Sequence, residues 1–274
     1  MQRVLVPNRG SRVRLLGPSW RAARDKLLSM ISEDYQLIAI VGRAGTGKTT
    51  LLLSLEGSIN GVFMYADMTE VNGRDLSAIL STAFADNIDV IRDIQEKLRK
   101  SGAKGLLRAF ARAGLDEVVE SARLKPMETL ALLNNAVEYL GIGPLVIGVD
   151  EGLLSQDDPR AVEFINALHA FRNNMQVLKS TKLIITLLPD VVNLISKIDT
   201  PLFDILRLGA LTLPDYVSGE DLREVAREYG LGPTEISKIE ALGPLTMRQL
   251  ICLVNTKMDT MKCGVDTAGE IMIE

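Results

Sequence analysis

Gly42-Arg43-Ala44-Gly45-Thr46-Gly47-Lys48-Thr49 satisfies the pattern G-x-x-x-x-G-K-[ST] at every fixed position. Upstream, Tyr35-Gln36-Leu37-Ile38-Ala39-Ile40-Val41 reads as a buried strand; downstream, Thr50-Leu51-Leu52-Leu53-Ser54-Leu55 reads as the apolar face of a helix. Strand, glycine loop and helix in that order make a phosphate loop. The glycines let successive backbone N–H groups converge on phosphate oxygens, and the helix start adds partial positive charge. The motif implies a nucleoside triphosphate, ATP, held by Gly42, Arg43, Ala44, Gly45, Thr46, Gly47, Lys48, Thr49 and Thr50. Lys48 is expected at the β- and γ-phosphates and the Thr49 hydroxyl on Mg²⁺.

A second element follows later in the chain. Leu145-Val146-Ile147-Gly148-Val149 is an apolar run between Pro144 and the acidic pair Asp150-Glu151, as expected of a central parallel strand that delivers carboxylates at its C-terminal end. It looks like a Walker B element, with Asp150 holding magnesium through water and Glu151 polarising the attacking water. Gly148 inside the strand marks a close neighbouring backbone.

With 274 residues, 47% of them hydrophobic, the chain can bury an ordinary core. No apolar run approaches the roughly 18 residues of a membrane span, and the N-terminus lacks an apolar signal core, so a soluble cytoplasmic protein without membrane contact is expected. Cys252, Cys263 and His169 make neither a metal cluster nor a disulfide framework, and both cysteines read as bystanders. The net charge is −4, yet residues 1–26 carry seven basic residues (Arg3, Arg9, Arg12, Arg14, Arg21, Arg24 and Lys26) against Asp25 alone. An arm on nucleic-acid phosphates, an organelle-targeting segment and a solvated helix face all fit that asymmetry.

The remaining pattern alternates. A helix is predicted over 20–31 with Ser19 as N-cap, a strand over 61–67, helices through 73–140 broken at Gly102, Gly105 and Gly114, a helix over 160–178, a strand over 182–188 and a last strand over 206–213. Three helices close the chain over 218–229, 233–241 and 246–258, the first opened by Ser218-Gly219-Glu220-Asp221 in capping-box form. The expectation is an α/β fold: a parallel P-loop NTPase sheet flanked by helices, with a small all-helical C-terminal lid. The expected divisions are a basic arm and helix over 1–33, the core over 34–213 and the lid over 214–274.

Phosphate loop, Asp-Glu Walker B, a further strand and a helical lid, in that order, resemble AAA+ ATPases over roughly residues 15–260. Within them the layout is similar to archaeal ATPases of the origin-recognition and cell-division-control type and to related signalling ATPases. The resemblance implies a γ-phosphate sensor after the fourth strand, where Thr186 is the candidate, although Leu187 and Leu188 follow where Ser or Asn is usual. It implies an arginine finger near Arg207, which lies two residues beyond the expected place; a plain surface arginine is the alternative. It also implies that Arg248, in Gly243-Pro244-Leu245-Thr246-Met247-Arg248, closes the lid on the γ-phosphate, without the family's usual spelling. Subunits would then assemble, as homo- or hetero-oligomers, through the nucleotide site.

Two departures stand out. Only sixteen residues follow Met258, so the winged-helix domain of such initiators is not expected here. The segment with Lys97, Arg99, Lys100, Lys104, Arg108 and Arg112 falls where initiators carry a helical insertion able to contact DNA; a solvated helix face is the other reading. Two functions emerge. One is an ATP-hydrolysing machine acting on DNA in replication, recombination or transposition, touching it through basic residues within 3–26 and 97–112. The other is a nucleotide-dependent signalling or adaptor switch with slow turnover on a protein partner. A small-molecule kinase ranks below both.

Overall fold

The computed structural model describes residues 15–153 and 155–265, so Arg3, Arg9, Arg12 and Arg14 of the basic arm lie outside the described residues. Two compact units result: residues 27–41, 55–153 and 155–211 form one, and residues 15–26, 42–54 and 212–265 the other.

The first unit is built on a five-stranded sheet: β1 (Leu37–Val41), β2 (Val62–Asp67), β3 (Leu145–Asp150), β4 (Thr181–Leu187) and β5 (Ala210–Thr212), in the order β2-β3-β4-β1-β5. β1, β3 and β4 are buried at every position, the mark of strands covered on both faces. They pair in parallel, with Leu37 beside Leu183, Leu145 beside Thr181, and Val62 beside Leu145. Side chains alternate between the faces. Leu37, Ala39, Met64, Ile147, Val149 and Ile185 join the main apolar core. The opposite face carries the intervening residues, among them Tyr65, Gly148, Asp150, Ile184 and Thr186.

Helices connect the strands in chain order. α1 (Pro18–Ser32) precedes β1 and α2 (Lys48–Leu53) follows it; α3 (Leu76–Asp86), α4 (Ile88–Ser101), α5 (Gly105–Arg112), α6 (Leu115–Leu124) and α7 (Pro126–Leu140) lie between β2 and β3. α8 (Ala161–Asn173) leads to β4, and α9 (Pro189–Ile198) and α10 (Thr200–Leu208) lead to β5. Local chemistry sets several ends: the Asp75 side chain accepts the Ala78 N–H at the start of α3, Gly102 closes α4 in the left-handed region, and Pro126 and Pro189 open their helices, where a missing N–H costs nothing. The predicted last strand is shorter than the sequence suggests. Leu206, Arg207 and Leu208 finish a helix that begins at Thr200, because the Asp199 side chain caps it by accepting the Leu202 N–H at 3.0 Å. Burial alone would raise the Asp199 pKa, but hydrogen bonds from His169 and Leu202 outweigh it and hold the carboxyl below its usual range.

The second unit contains the start of α1, the loop over 42–47 with α2, and the helices α11 (Gly219–Glu228), α12 (Pro233–Ala241) and α13 (Met247–Asn255). Val217 and Leu245 form an antiparallel bridge. Three expectations are corrected here. Ser19 lies inside α1 rather than capping it, and its hydroxyl donates to Asp221 Oδ2 at 2.6 Å. The Ser218 side chain makes no cap bond: the Asp221 N–H donates to the Ser218 carbonyl instead, and the Asp221 carboxylate, its expected reciprocal acceptor, is taken by Ser19. The cysteines are not bystanders: Cys252 and Cys263 form a disulfide that ties α13 to the turn after it. The working capping box belongs instead to Thr246 and Gln249 at the start of α13.

β2 is an edge strand, and its outward backbone groups at Tyr65 are satisfied by one side chain. Asn87 Oδ1 accepts the Tyr65 N–H at 3.2 Å and Asn87 Nδ2 donates to the Tyr65 carbonyl at 2.8 Å. Asn87→Ala strands both groups in the interior, so the variant should lose about 2–3 kcal/mol of stability, read as a lower denaturant midpoint with an unchanged slope.

Candidate functional site

Within the second unit the loop over 42–49 has the backbone its glycines make possible. Gly45 and Gly47 take φ of +80° and +93°, where a side chain is strained, and Gly47 caps α2. Thr46 is buried, and its hydroxyl donates to the Arg43 carbonyl at 2.9 Å. The Lys48 ammonium donates to the Gly42 and Arg43 carbonyls at 2.8 and 3.0 Å, folding the side chain back over its own loop. Ala44 is exposed, and Thr49 and Thr50 are half-buried in the first turn of α2. Exposed Arg43 leans toward the segment before α11, pairing with Asp215 at 3.2 Å and reaching the Tyr216 hydroxyl at 3.4 Å.

Two neighbours fix the loop. The Arg248 N–H donates to the Gly45 carbonyl at 3.0 Å, and a Cβ at Gly45 would collide with that of Arg248. Arg248 thus touches the loop over 42–49 through its main chain. The second neighbour belongs to no motif: the indole N–H of Trp20 donates to the Thr46 carbonyl at 2.7 Å. Trp20 is buried in the first turn of α1, flanked by residues anchored to α11. The Ser19 N–H reaches Asp221 Oδ1 at 2.8 Å, and Arg21 forms a forked pair with Glu224, one arm at 2.7 Å. The only tryptophan of the chain, at a helix start immediately after Gly17-Pro18-Ser19, was the available signal.

A separate cluster lies within the first unit at the C-terminal end of β3. Asp150 is 2% exposed and accepts hydrogen bonds from both sides of the sheet: from Thr186 Oγ1 on β4 at 2.6 Å and from Tyr65 Oη on β2 at 3.1 Å. The Glu151 N–H is shared between Asp150 Oδ1 and Thr186 Oγ1 at 3.2 and 3.1 Å. Burial first, and then the Asp150 charge, push the Tyr65 pKa far up, so its hydroxyl remains a donor across the working pH range. Glu151 itself sits at φ +52°, a costly conformation for a residue with a side chain. Its carboxylate accepts from Thr69 Oγ1 at 2.8 Å, while the same hydroxyl lies 2.5 Å from Asp67 Oδ1. One hydroxyl has one hydrogen, so Thr69 serves one carboxylate at a time. Tyr65 and Thr69 are functional candidates that motif reading passed over.

Thr186 and Asp150 are therefore brought together with the Glu151 backbone, and Arg248 with the loop. Arg207 stands apart from the Asp150 cluster, exposed in the last turn of α10. Lys97, Arg99, Lys100, Lys104, Arg108 and Arg112 are all exposed along α4, α5 and the turn between them. Arg99 donates to the Ala111 carbonyl at 3.1 Å, and the other five have no acidic partner among the described residues. No helix among the described residues is long and apolar enough to cross a membrane.

No protein-family model matches the chain, and no curated protein does. Solved structures share its fold. The Walker-type ATPase PABY2304 of Pyrococcus abyssi superposes with a TM-score of 0.54 at 18% identity, covering 89% of this chain and 69% of that one. ORC2 of Aeropyrum pernix in its ADP form gives 0.51 at 19% identity, covering 96% of this chain and 67% of that one. The same protein in ADPNP–ADP complexes gives 0.50 at 16% identity, with 89% and 62% covered. The chain thus spans about two thirds of the length of the structures it resembles. At this identity the likeness is one of fold, and that fold is the P-loop sheet found in a Walker-type ATPase and in archaeal ORC2.

Proposed function

We propose that the chain binds ATP with Mg²⁺ on the loop over 42–50 and hydrolyses it, as an AAA+ type ATPase that acts on DNA. The observation that carries this reading is the intact loop, its two glycines in the left-handed region and its carbonyls held by Trp20 and Arg248. In this reading Lys48 and Arg248 neutralise phosphate charge, and Thr49 and Asp150 hold the ion. Among the described residues no cluster of three or more His, Cys, Asp or Glu could hold a metal by itself, as suits an ion whose remaining ligands are water and substrate phosphates. Magnesium supplies charge neutralisation on the phosphates when bound. Glu151 orients and deprotonates the attacking water, Thr186 senses the γ-phosphate, and exposed Arg207 serves a neighbouring subunit. Helices after residue 213 act as the lid of a core over 34–213. The five basic side chains without an acidic partner on α4, α5 and the turn between them support contact with phosphates rather than bases.

The adaptor-switch reading has its own support. Lys48 is engaged by loop carbonyls and Glu151 by Thr69, so both reactive groups must be released before turnover, and a slow ATPase follows.

Steady-state hydrolysis across protein concentrations, with and without duplex DNA, tests the choice. Rates per subunit that rise with both support the DNA machine; a slow rate indifferent to both supports the switch. Lys48→Ala should abolish nucleotide binding, whereas Glu151→Gln should keep it and slow turnover on the order of 10²-fold or more. Normal turnover in Glu151→Gln would remove Glu151 from the water-activating role. Replacing Lys100, Lys104 and Arg108 with Ala should weaken DNA binding and reduce its salt slope by about 0.9 for each phosphate no longer neutralised. Because Trp20 is the only tryptophan, its emission should change on nucleotide addition, and Trp20→Phe should weaken nucleotide binding about 10-fold by removing the hydrogen bond to Thr46.

A further inference from the structure

Resting on the assignment of Asp150 to the metal, we infer that Tyr65 is a specificity-determining residue that makes the site select Mg²⁺ over Ca²⁺. A carboxylate has about four acceptor positions, two on each oxygen. On Asp150 three are occupied: Oδ1 accepts from the Thr186 hydroxyl and the Glu151 N–H, and Oδ2 accepts from the Tyr65 hydroxyl. One position on Oδ2 remains.

Geometry makes that occupancy firm. Tyr65 stands beside Gly148 in the parallel register, and Asp150 lies two residues further along the same face. Tyr65 thus lies on the strand next to that of Asp150, and its hydroxyl reaches Asp150 Oδ2 at 3.1 Å. Asn87 pins the Tyr65 backbone from the outer edge, and Thr186 approaches from the strand on the other side. The carboxylate is braced across three strands and cannot turn to present both oxygens.

A single acceptor position suits one water of a hydrated Mg²⁺, which holds an octahedral shell and gives up its waters reluctantly. Ca²⁺ takes six to eight oxygens and favours bidentate carboxylates, a mode the Tyr65 hydrogen bond denies. Tyr65 acts through Asp150 and is a positioning residue.

The test is the affinity of a fluorescent ATP analogue in Mg²⁺, in Ca²⁺ and in EDTA, for the unaltered protein and for Tyr65→Phe, which keeps the ring and loses only the hydrogen bond. Tyr65→Phe should narrow the Mg²⁺-over-Ca²⁺ preference about 10-fold while affinity in EDTA stays the same. An unchanged preference, or an equal loss under all three conditions, overturns the inference. If the unaltered protein binds the analogue with no dependence on any divalent ion, the metal role of Asp150 fails and the inference falls with it. Failure to bind the analogue at all removes the nucleotide reading itself. A second measurement needs no variant: Mn²⁺ and ATP bound to protein labelled with ¹³C-aspartate. Weak carbon coupling, as for a carboxylate reached through water, is expected; the strong coupling of a directly bound, bidentate carboxylate overturns the proposal.

Discussion

The first unit depends on a carboxylate buried at the end of a central strand. An ionised group with almost no exposure costs several kcal/mol unless its oxygens are hydrogen-bonded. Asp150 meets that demand by drawing a hydroxyl from each neighbouring strand, Tyr65 from β2 and Thr186 from β4, together with the N–H of the residue that follows it. Tyr65 in turn is held at its backbone by Asn87 on the outer edge. A chain of contacts therefore runs from the outer rim of the sheet to the carboxylate at the end of β3.

In the second unit the corresponding constraint is the loop backbone. Glycines that permit the curl also remove the side chains that would otherwise hold it, so the loop is fixed from outside through its carbonyls. Trp20 supplies one donor from a side chain and Arg248 another from a main chain, each from a helix start. Both helices are themselves secured: α1 by Ser19 and Arg21 on α11, and α13 by the Thr246–Gln249 box and the Cys252–Cys263 disulfide. Gln249 also donates to the Gly264 carbonyl at 2.9 Å, so cap and cross-linked turn reinforce one another.

Much of this was legible in the sequence, for identifiable reasons. β1, β3 and β4 are unbroken apolar runs, a signal that survives without tertiary information, and α12 matches its predicted bounds from Pro233 to Ala241. The loop and the acidic pair are local motifs. What could not be read is what depends on contacts distant in sequence. Asp221 is a capping residue by spacing, yet Ser19, 202 residues away, claims it. Arg207 sits in an apolar run that resembles a strand, and only the Asp199 cap shows it to be helical. A pair of cysteines eleven residues apart gives no sign of pairing until the turn after α13 brings their Cα atoms within 5.6 Å. Tyr65 looks like one more aromatic strand residue until its partner across the sheet is known.

Lys48 and Glu151 share one condition. Lys48 gives its protons to carbonyls of its own loop, and Glu151 accepts from Thr69, a hydroxyl that Asp67 also claims. Neither arrangement is a dead end. Phosphate oxygens are stronger partners for an ammonium than peptide carbonyls are, because the hydrogen bond then joins opposite charges. Thr69 can return to Asp67 at no loss in hydrogen bonds, which leaves Glu151 free to turn toward water. Each side chain can therefore exchange one satisfied contact for another rather than pass through a state with none.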